Sequence, residues 1–135
     1  MTNLNHKRVF VIEDNLENRV ITQMTLGLKG VRLEFDRFGR DTLSKLRNFG
    51  KVDLIILDLM FPNGITGYDI FDLIRADAAF AHIPIVAVSA SDAVSAIPRC
   101  KAKGFNGFIP KPIDSDIFPD QIEKIMNGQA IWQER

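Results

Sequence analysis

The chain has 135 residues, enough for one domain with a substantial core. Its hydrophobic fraction of 46% and charged fraction of 25% are ordinary for a globular protein, and 17 basic residues balance 17 acidic ones, which argues against a nucleic-acid binder. A single cysteine, Cys100, excludes an internal disulfide framework and suits a reducing cytoplasm, where the protein is expected to act; with no secretory leader and no apolar run of about 18 residues, no membrane contact is expected.

In chain order, "RVFVI" (8–12) reads as a buried strand. "NLENRVITQMTLGLK" follows as a helix, with Val20, Met24 and Leu28 spaced by four and Gly30 as its stop. "VRLEF" (31–35) alternates like an edge strand, and "RDTLSKLRNF" puts Leu43, Leu46 and Phe49 on one helix face. "DLIIL" is the strongest strand. "ITGYDIFDLIRA" is helical, with Ile70, Leu73 and Ile74 in phase. "IPIVAVSA" (83–90) is a fourth buried strand. "DAVSAIPRCKAKG" is a weaker helix interrupted by Pro98, and "FNGFI" (105–109) is a fifth strand. "DSDIFPDQIEKIMNG" closes the series, with Asp114 as N-cap and Ile122, Ile125 and Met126 facing in. Five strand-then-helix repeats imply an α/β protein with a parallel sheet covered on both faces. The expected unit is one domain over 1–135, with its core at about 7–127 and a short tail at 128–135. Trp132 in that tail is expected to pack on the last helix.

In an open parallel sheet, chemistry collects at the carboxyl ends of the strands. The first strand ends in Glu13 and Asp14, the third in Asp58, the fourth in Ser89, and the fifth leads to Lys111. The second contributes only a peripheral Asp36. Clustered carboxylates raise one another's proton affinity unless a cation intervenes. All-oxygen ligation suits a hard ion, most simply Mg²⁺, with Mn²⁺ as the alternative. A carboxylate so held can attack phosphorus. Asp58, on the most buried strand, is the expected nucleophile. The three equatorial oxygens of the phosphoryl group would meet the cation, Lys111, and the Ser89 hydroxyl with the backbone N–H of Ala90.

At these residues the chain resembles the response-regulator receiver domains of two-component signalling. The elements are "VIEDN", "LIILDLMFP", "IPIVAVSA" and "GFIPKP", in order and at the ends of strands one, three, four and five. The resemblance implies a flavodoxin-like, doubly wound, five-stranded sheet of order 2-1-3-4-5 with five helices. It implies that Glu13, Asp14, Asp58 and the Met60 backbone carbonyl hold Mg²⁺. It also implies that Ser89 and Phe108 form a switch pair and that the Lys111–Pro112 bond is cis. The opening "EDNLENR" is similar to receivers of hybrid kinases and of stand-alone phosphorelay proteins.

Two departures from the family pattern stand out. The loop "NGIT" between Pro62 and Gly67 is one residue longer than usual, which leaves its path beside the metal site open. Pro98 falls where helix four should run, so that helix either starts near Pro98 or is kinked, an interior proline costing about 3 kcal/mol.

The favoured reading is a receiver that accepts a phosphoryl group from a histidine kinase or histidine phosphotransfer protein and signals through a downstream protein, as a monomer or weak dimer. Asn18, Ile21, Pro112 and Ile113 are the expected donor-docking residues. An aspartate-nucleophile phosphatase needs an acid two residues after the nucleophile; Met60 stands there and cannot protonate a leaving group. The protein is therefore not expected to be an enzyme beyond its own phosphorylation and a slow dephosphorylation. A receiver-like module that has lost phosphorylation is disfavoured, because the acids and the lysine are present.

Overall fold

The computed structural model describes residues 3–135. The strands are β1 (Arg8–Ile12), β2 (Arg32–Asp36), β3 (Leu54–Leu57), β4 (Ile85–Ser89), β5 (Gly107–Pro110) and β6 (Ile131–Trp132). The helices are α1 (Leu16–Gly27), α2 (Thr42–Phe49), α3 (Gly67–Arg75), α4 (Ala93–Lys103) and α5 (Phe118–Met126). All strand pairs are parallel and the sheet order is β2-β1-β3-β4-β5-β6. The expected order of the first five strands stands, and the sheet gains a sixth strand from the tail.

The continuous apolar runs conceal a strict alternation. Phe10, Ile12, Ile55, Leu57, Ile85, Ala87 and Phe108 join one core cluster with residues of α2, α3 and α4. Val9, Val11, Leu54, Ile56, Val86, Val88 and Ile109 join a second with α1 and α5. Each apolar strand thus serves two cores, as a parallel sheet covered on both faces requires.

Several sequence expectations fail in instructive ways. In α1, Thr22 and Leu26 are the buried residues, while Val20, Met24 and Leu28 are exposed. Spacing by four identifies a ridge and does not say which side it faces. The polar inward residue is tolerated because Thr22 donates its hydroxyl to the Asn18 carbonyl at 2.8 Å. Leu73 likewise faces out of α3, whereas Ile70 and Ile74 are buried. Asp114 caps the turn before α5: its carboxylate accepts from the Asp116 N–H at 3.0 Å, and the helix starts later, at Phe118. Trp132 packs with the core cluster on the α4 face rather than on the last helix, because its register partner Phe108 points that way.

Helix α4 starts at Ala93 and runs through Pro98. Pro98 lies on the exposed side, so water can serve the Val94 carbonyl that a proline leaves without its helical N–H. Cys100 is fully buried, and burial pushes its thiol up to about 11, in keeping with an inert core position.

Candidate functional site

Alternation also decides what meets at the carboxyl edge. Glu13, Asp58 and Lys111 continue the parity of Val11, Ile56 and Ile109, and so fall on the α1/α5 side. Their side chains converge. The Lys111 ammonium donates to Glu13 Oε1 and, at 2.9 Å, to Asp58 Oδ2. Asp58 Oδ1 accepts the N–H groups of Leu59 at 2.7 Å and Met60 at 3.2 Å. Glu13 Oε2 accepts the Asn15 N–H at 3.0 Å, and the Asn15 side chain caps α1 through the Asn18 N–H. Asp58 and Glu13 are only 6% and 5% exposed, so both carboxylates depend on these donors.

Burial pushes the Glu13 carboxyl above its usual value, and nearby Asp58 adds to the effect. The Lys111 and Asn15 hydrogen bonds pull the other way without cancelling it. Two buried carboxylates thus share one ammonium.

Asp14 and Ser89 have the opposite parity, that of Ile12 and Ala87, and neither joins the trio. Asp14 is half-buried in an adjoining hollow with Arg37, Phe38, Phe61, Pro62, Asn63 and Ile65. Ser89 is fully buried; its hydroxyl lies 2.9 Å from the Ser91 hydroxyl and accepts the Ser91 N–H at 3.2 Å. Ala90 follows at the exposed rim. Among the described residues no three acidic, histidine or cysteine side chains form a ready-made metal cage. The donor chemistry still suits a hard cation: Glu13, Asp58 and Asp14 are all oxygen donors, and among the described residues the Met60 carbonyl accepts no hydrogen bond.

The long loop closes neatly. Asn63 and Gly64 have φ of 65° and 74°, the two positive values a type I′ turn requires, and Ile65 N–H reaches the Pro62 carbonyl at 3.5 Å. Met60 bridges Thr66, and the Gly67 N–H donates to the Leu59 carbonyl at 2.9 Å. A Cβ at Gly67 would collide with the Asp58 carbonyl, which fixes glycine at this point of the loop. Thr66 and Asp69 then form a capping box that starts α3. The extra residue is absorbed by the turn, and α3 still begins against the end of β3.

The Lys111–Pro112 bond is cis, as expected. Asn18, Ile21 and Ile113 line a cavity of about 20 Å³ together with Glu13, Asp58 and Lys111, room for one water. Pro112 is exposed beside it. Sequence reasoning missed the outward ridge of α1, formed by Leu16, Val20, Met24 and Leu28, all 47% exposed or more. It also missed Asn15 and the buried role of Asp36. The Asp36 carboxylate accepts from the Thr42 hydroxyl, from the Phe38 N–H at 3.0 Å and from Lys45 at 3.0 Å. An aspartate followed by a helix with a threonine and a lysine on one face was the available signal.

A family model for the response regulator receiver domain matches residues 9–123. The chain belongs to that family. Receiver domains are signalling modules of two-component systems, and the trio at Asp58 lies at the carboxyl edge of this one. The chemotaxis protein CheY of Pseudomonas aeruginosa is 26% identical over 118 residues, covering 87% of this chain and 94% of that protein. The response regulator ARR3 of Arabidopsis thaliana is 29% identical over 115 residues, 78% of this chain and 49% of its own length. The CAI-1 autoinducer sensor kinase/phosphatase CqsS of Vibrio cholerae is 26% identical over 127 residues, 93% of this chain but 17% of that protein. The receiver thus spans about half of the plant relative and a small part of the kinase. A putative response regulator from Chloroflexus aurantiacus superposes with a TM-score of 0.81 at 20% identity, covering 91% of this chain and 99% of that one; at that identity the likeness speaks for the fold.

Proposed function

We propose that this receiver is the phosphoacceptor of a two-component phosphorelay, taking a phosphoryl group from a phosphohistidine donor onto Asp58. The observation that carries the reading is the arrangement of Asp58: Oδ1 is pinned by the Leu59 and Met60 N–H groups, and Oδ2 is shared with Lys111. Oδ2 attacks phosphorus; the phosphorus–nitrogen bond of the donor breaks, and the imidazole leaves and takes up a proton from solvent. Lys111 stays beside the oxygen that gains the phosphoryl group and offsets its charge. Ser89 reaches the same group after leaving Ser91, and the Ala90 N–H adds a second donor. A Mg²⁺ ion, or Mn²⁺ in its place, would be held by Glu13, Asp14, Asp58 and the Met60 carbonyl and would neutralise charge on the phosphoryl oxygens.

Phe108, on the same sheet face as Ser89, is the second switch residue of this reading. The donor docks at Asn18, Ile21, Pro112 and Ile113, and the outward ridge of α1 extends that apolar surface. A histidine kinase or histidine phosphotransfer protein supplies the group, and a downstream protein reads the result. Dephosphorylation is slow, because the exposed Met60 side chain neither orients water nor transfers protons.

Acetyl phosphate with Mg²⁺ should add the mass of one phosphoryl group, and Asp58→Asn should abolish the gain. An undiminished gain in Asp58→Asn would refute the assignment. A second reading, a receiver that binds no metal and takes no phosphate, draws on the separation of Asp14 from the trio. Absence of binding in a Mg²⁺ titration to millimolar concentration would favour it.

A further inference from the structure

Strand β6 lies beyond the stretch matched by the receiver family, which ends at residue 123. It closes the outer edge of β5, and its hold there is light. The Gln133 N–H donates to the Phe108 carbonyl at 2.9 Å and the Ile131 N–H to the Asn106 carbonyl at 3.4 Å. The Gln121 side chain on α5 donates to that of Gln133 at 2.6 Å. The Lys101 ammonium on α4 lies 5.3 Å from the centre of the Trp132 ring. Ile131 and Trp132 are only half-buried. Gly107 makes room for the segment, since a Cβ there would come within 2.7 Å of the Ile131 carbonyl.

The register ties this strand to the centre of the sheet. Ile12, Leu57, Ala87, Phe108 and Trp132 are successive partners on β1, β3, β4, β5 and β6. All five pack in the core cluster on the α2/α3/α4 face. Leu57 is covalently joined to Asp58. Ala87 is the smallest member, placed between Leu57 and Phe108. Ser89 is the next residue of β4 on that face.

We propose that residues 129–133 form a releasable strap over the β5 edge whose hold depends on the state of Asp58. In the unmodified protein the strap covers the edge between α4 and α5. Engagement of Asp58 by a phosphoryl group frees it. This rests on the reading of Asp58, Ser89 and Phe108 given above. When Ser89 turns from Ser91 to the phosphoryl group, the fully buried Phe108 ring on the same face repacks. Trp132 packs beside its register neighbour Phe108, so that repacking loosens the Trp132 contact first and the short ladder to β6 with it. A short main-chain ladder of two register pairs and a half-buried indole are readily lost. The uncovered edge of β5 then offers unpaired main-chain donors and acceptors to an extended segment of a partner protein.

Trp132 is the only tryptophan of the 135-residue chain, so its emission reports the strap. Beryllofluoride with Mg²⁺ serves as the phosphoryl mimic, and fluorine NMR records its binding at Asp58 independently. Gln133→Pro, which removes the N–H donated to Phe108, supplies the released reference. The expected result is a shift of Trp132 emission to longer wavelength and greater acrylamide quenching when beryllofluoride binds, approaching the values of unliganded Gln133→Pro. That variant should bind beryllofluoride without a further shift, and Asp58→Asn should show neither signal. A bound fluorine resonance with unmoved emission overturns the strap while leaving the Asp58 reading intact. So does an unliganded Gln133→Pro whose emission matches that of the parent. Absence of any bound fluorine resonance overturns the Asp58 reading, and the coupling with it.

Discussion

Two buried carboxylate centres lie along the same edge of the sheet and are treated in opposite ways. Asp36, at the end of β2, is 5% exposed. Burial alone would raise its pKa, but the hydrogen bonds from Thr42, Lys45 and the Phe38 N–H outweigh burial and hold it below its ordinary value. Glu13, at the end of β1, is buried to the same degree, yet its pKa is raised. Asp36 draws on three donors, of which Lys45 lies 3.0 Å from it and only 3.9 Å from the exposed Asp41. Glu13 competes with Asp58 for Lys111. The first centre is electrically complete and fastens α2 to the sheet. The second is short of positive charge, a deficit that a bound cation would fill.

Removing Lys111 should break the second centre outright. Lys111→Met leaves two buried carboxylates without a counter-charge, and a loss of about 3–5 kcal/mol in urea unfolding at pH 7 is expected. The loss should shrink in acid as Glu13 takes up a proton. A loss of the same size at all pH values would mean that packing, not charge, explains it.

Asp36→Asn tests the first centre, with an expected cost of about 1–3 kcal/mol at neutral pH. A depressed pKa contributes stability above the unfolded value of 3.8 that is lost as pH falls through the lower folded value. The gap between wild type and variant should therefore close in acid below pH 3.8. Parallel stability curves would count against this account.

Glu13→Gln should do the reverse, and by less. A carboxyl with a raised folded pKa costs stability in its ionised form, a cost that appears as pH rises from 4.5 through the higher folded value. The variant should match or slightly exceed wild type in stability at pH 7. Any advantage should vanish below pH 4.5. A clear destabilisation at pH 7 would show that the charge of Glu13 is fully compensated.

The smallest effect on stability is expected away from both centres. Met24→Ser on the outward ridge of α1 should change unfolding by no more than about 0.5 kcal/mol. It should nonetheless slow phosphotransfer from a histidine phosphotransfer protein while leaving acetyl phosphate labelling unchanged. Equal rates from both donors would remove the ridge from the docking surface.

Most of the strand order and the polar groups at the strand ends were legible in the chain. "LIILD", "VIED" and "GFIPKP" place an aspartate, two acids and a lysine where a parallel sheet gathers them, because apolar strand runs and strand-end polarity are local properties. Less was legible at the helices. Leu16, Val20, Met24 and Leu28 mark a ridge in the sequence, but only packing showed that Leu26 and Thr22 face the sheet. Asp36 looked peripheral because its partners Thr42 and Lys45 lie a loop away.

The sequence by itself determined which groups reach the mouth of the sheet, since each follows directly from the end of a strand. The tertiary structure decided which of them meet. Side chains alternate across the sheet, so Glu13, Asp58 and Lys111 fall together on one side, while Asp14 and Ser89 fall on the other. It also decided the fate of the tail: "IW" is too short to announce itself as a strand, and becomes one because β5 leaves an open edge and Gly107 lets another backbone approach.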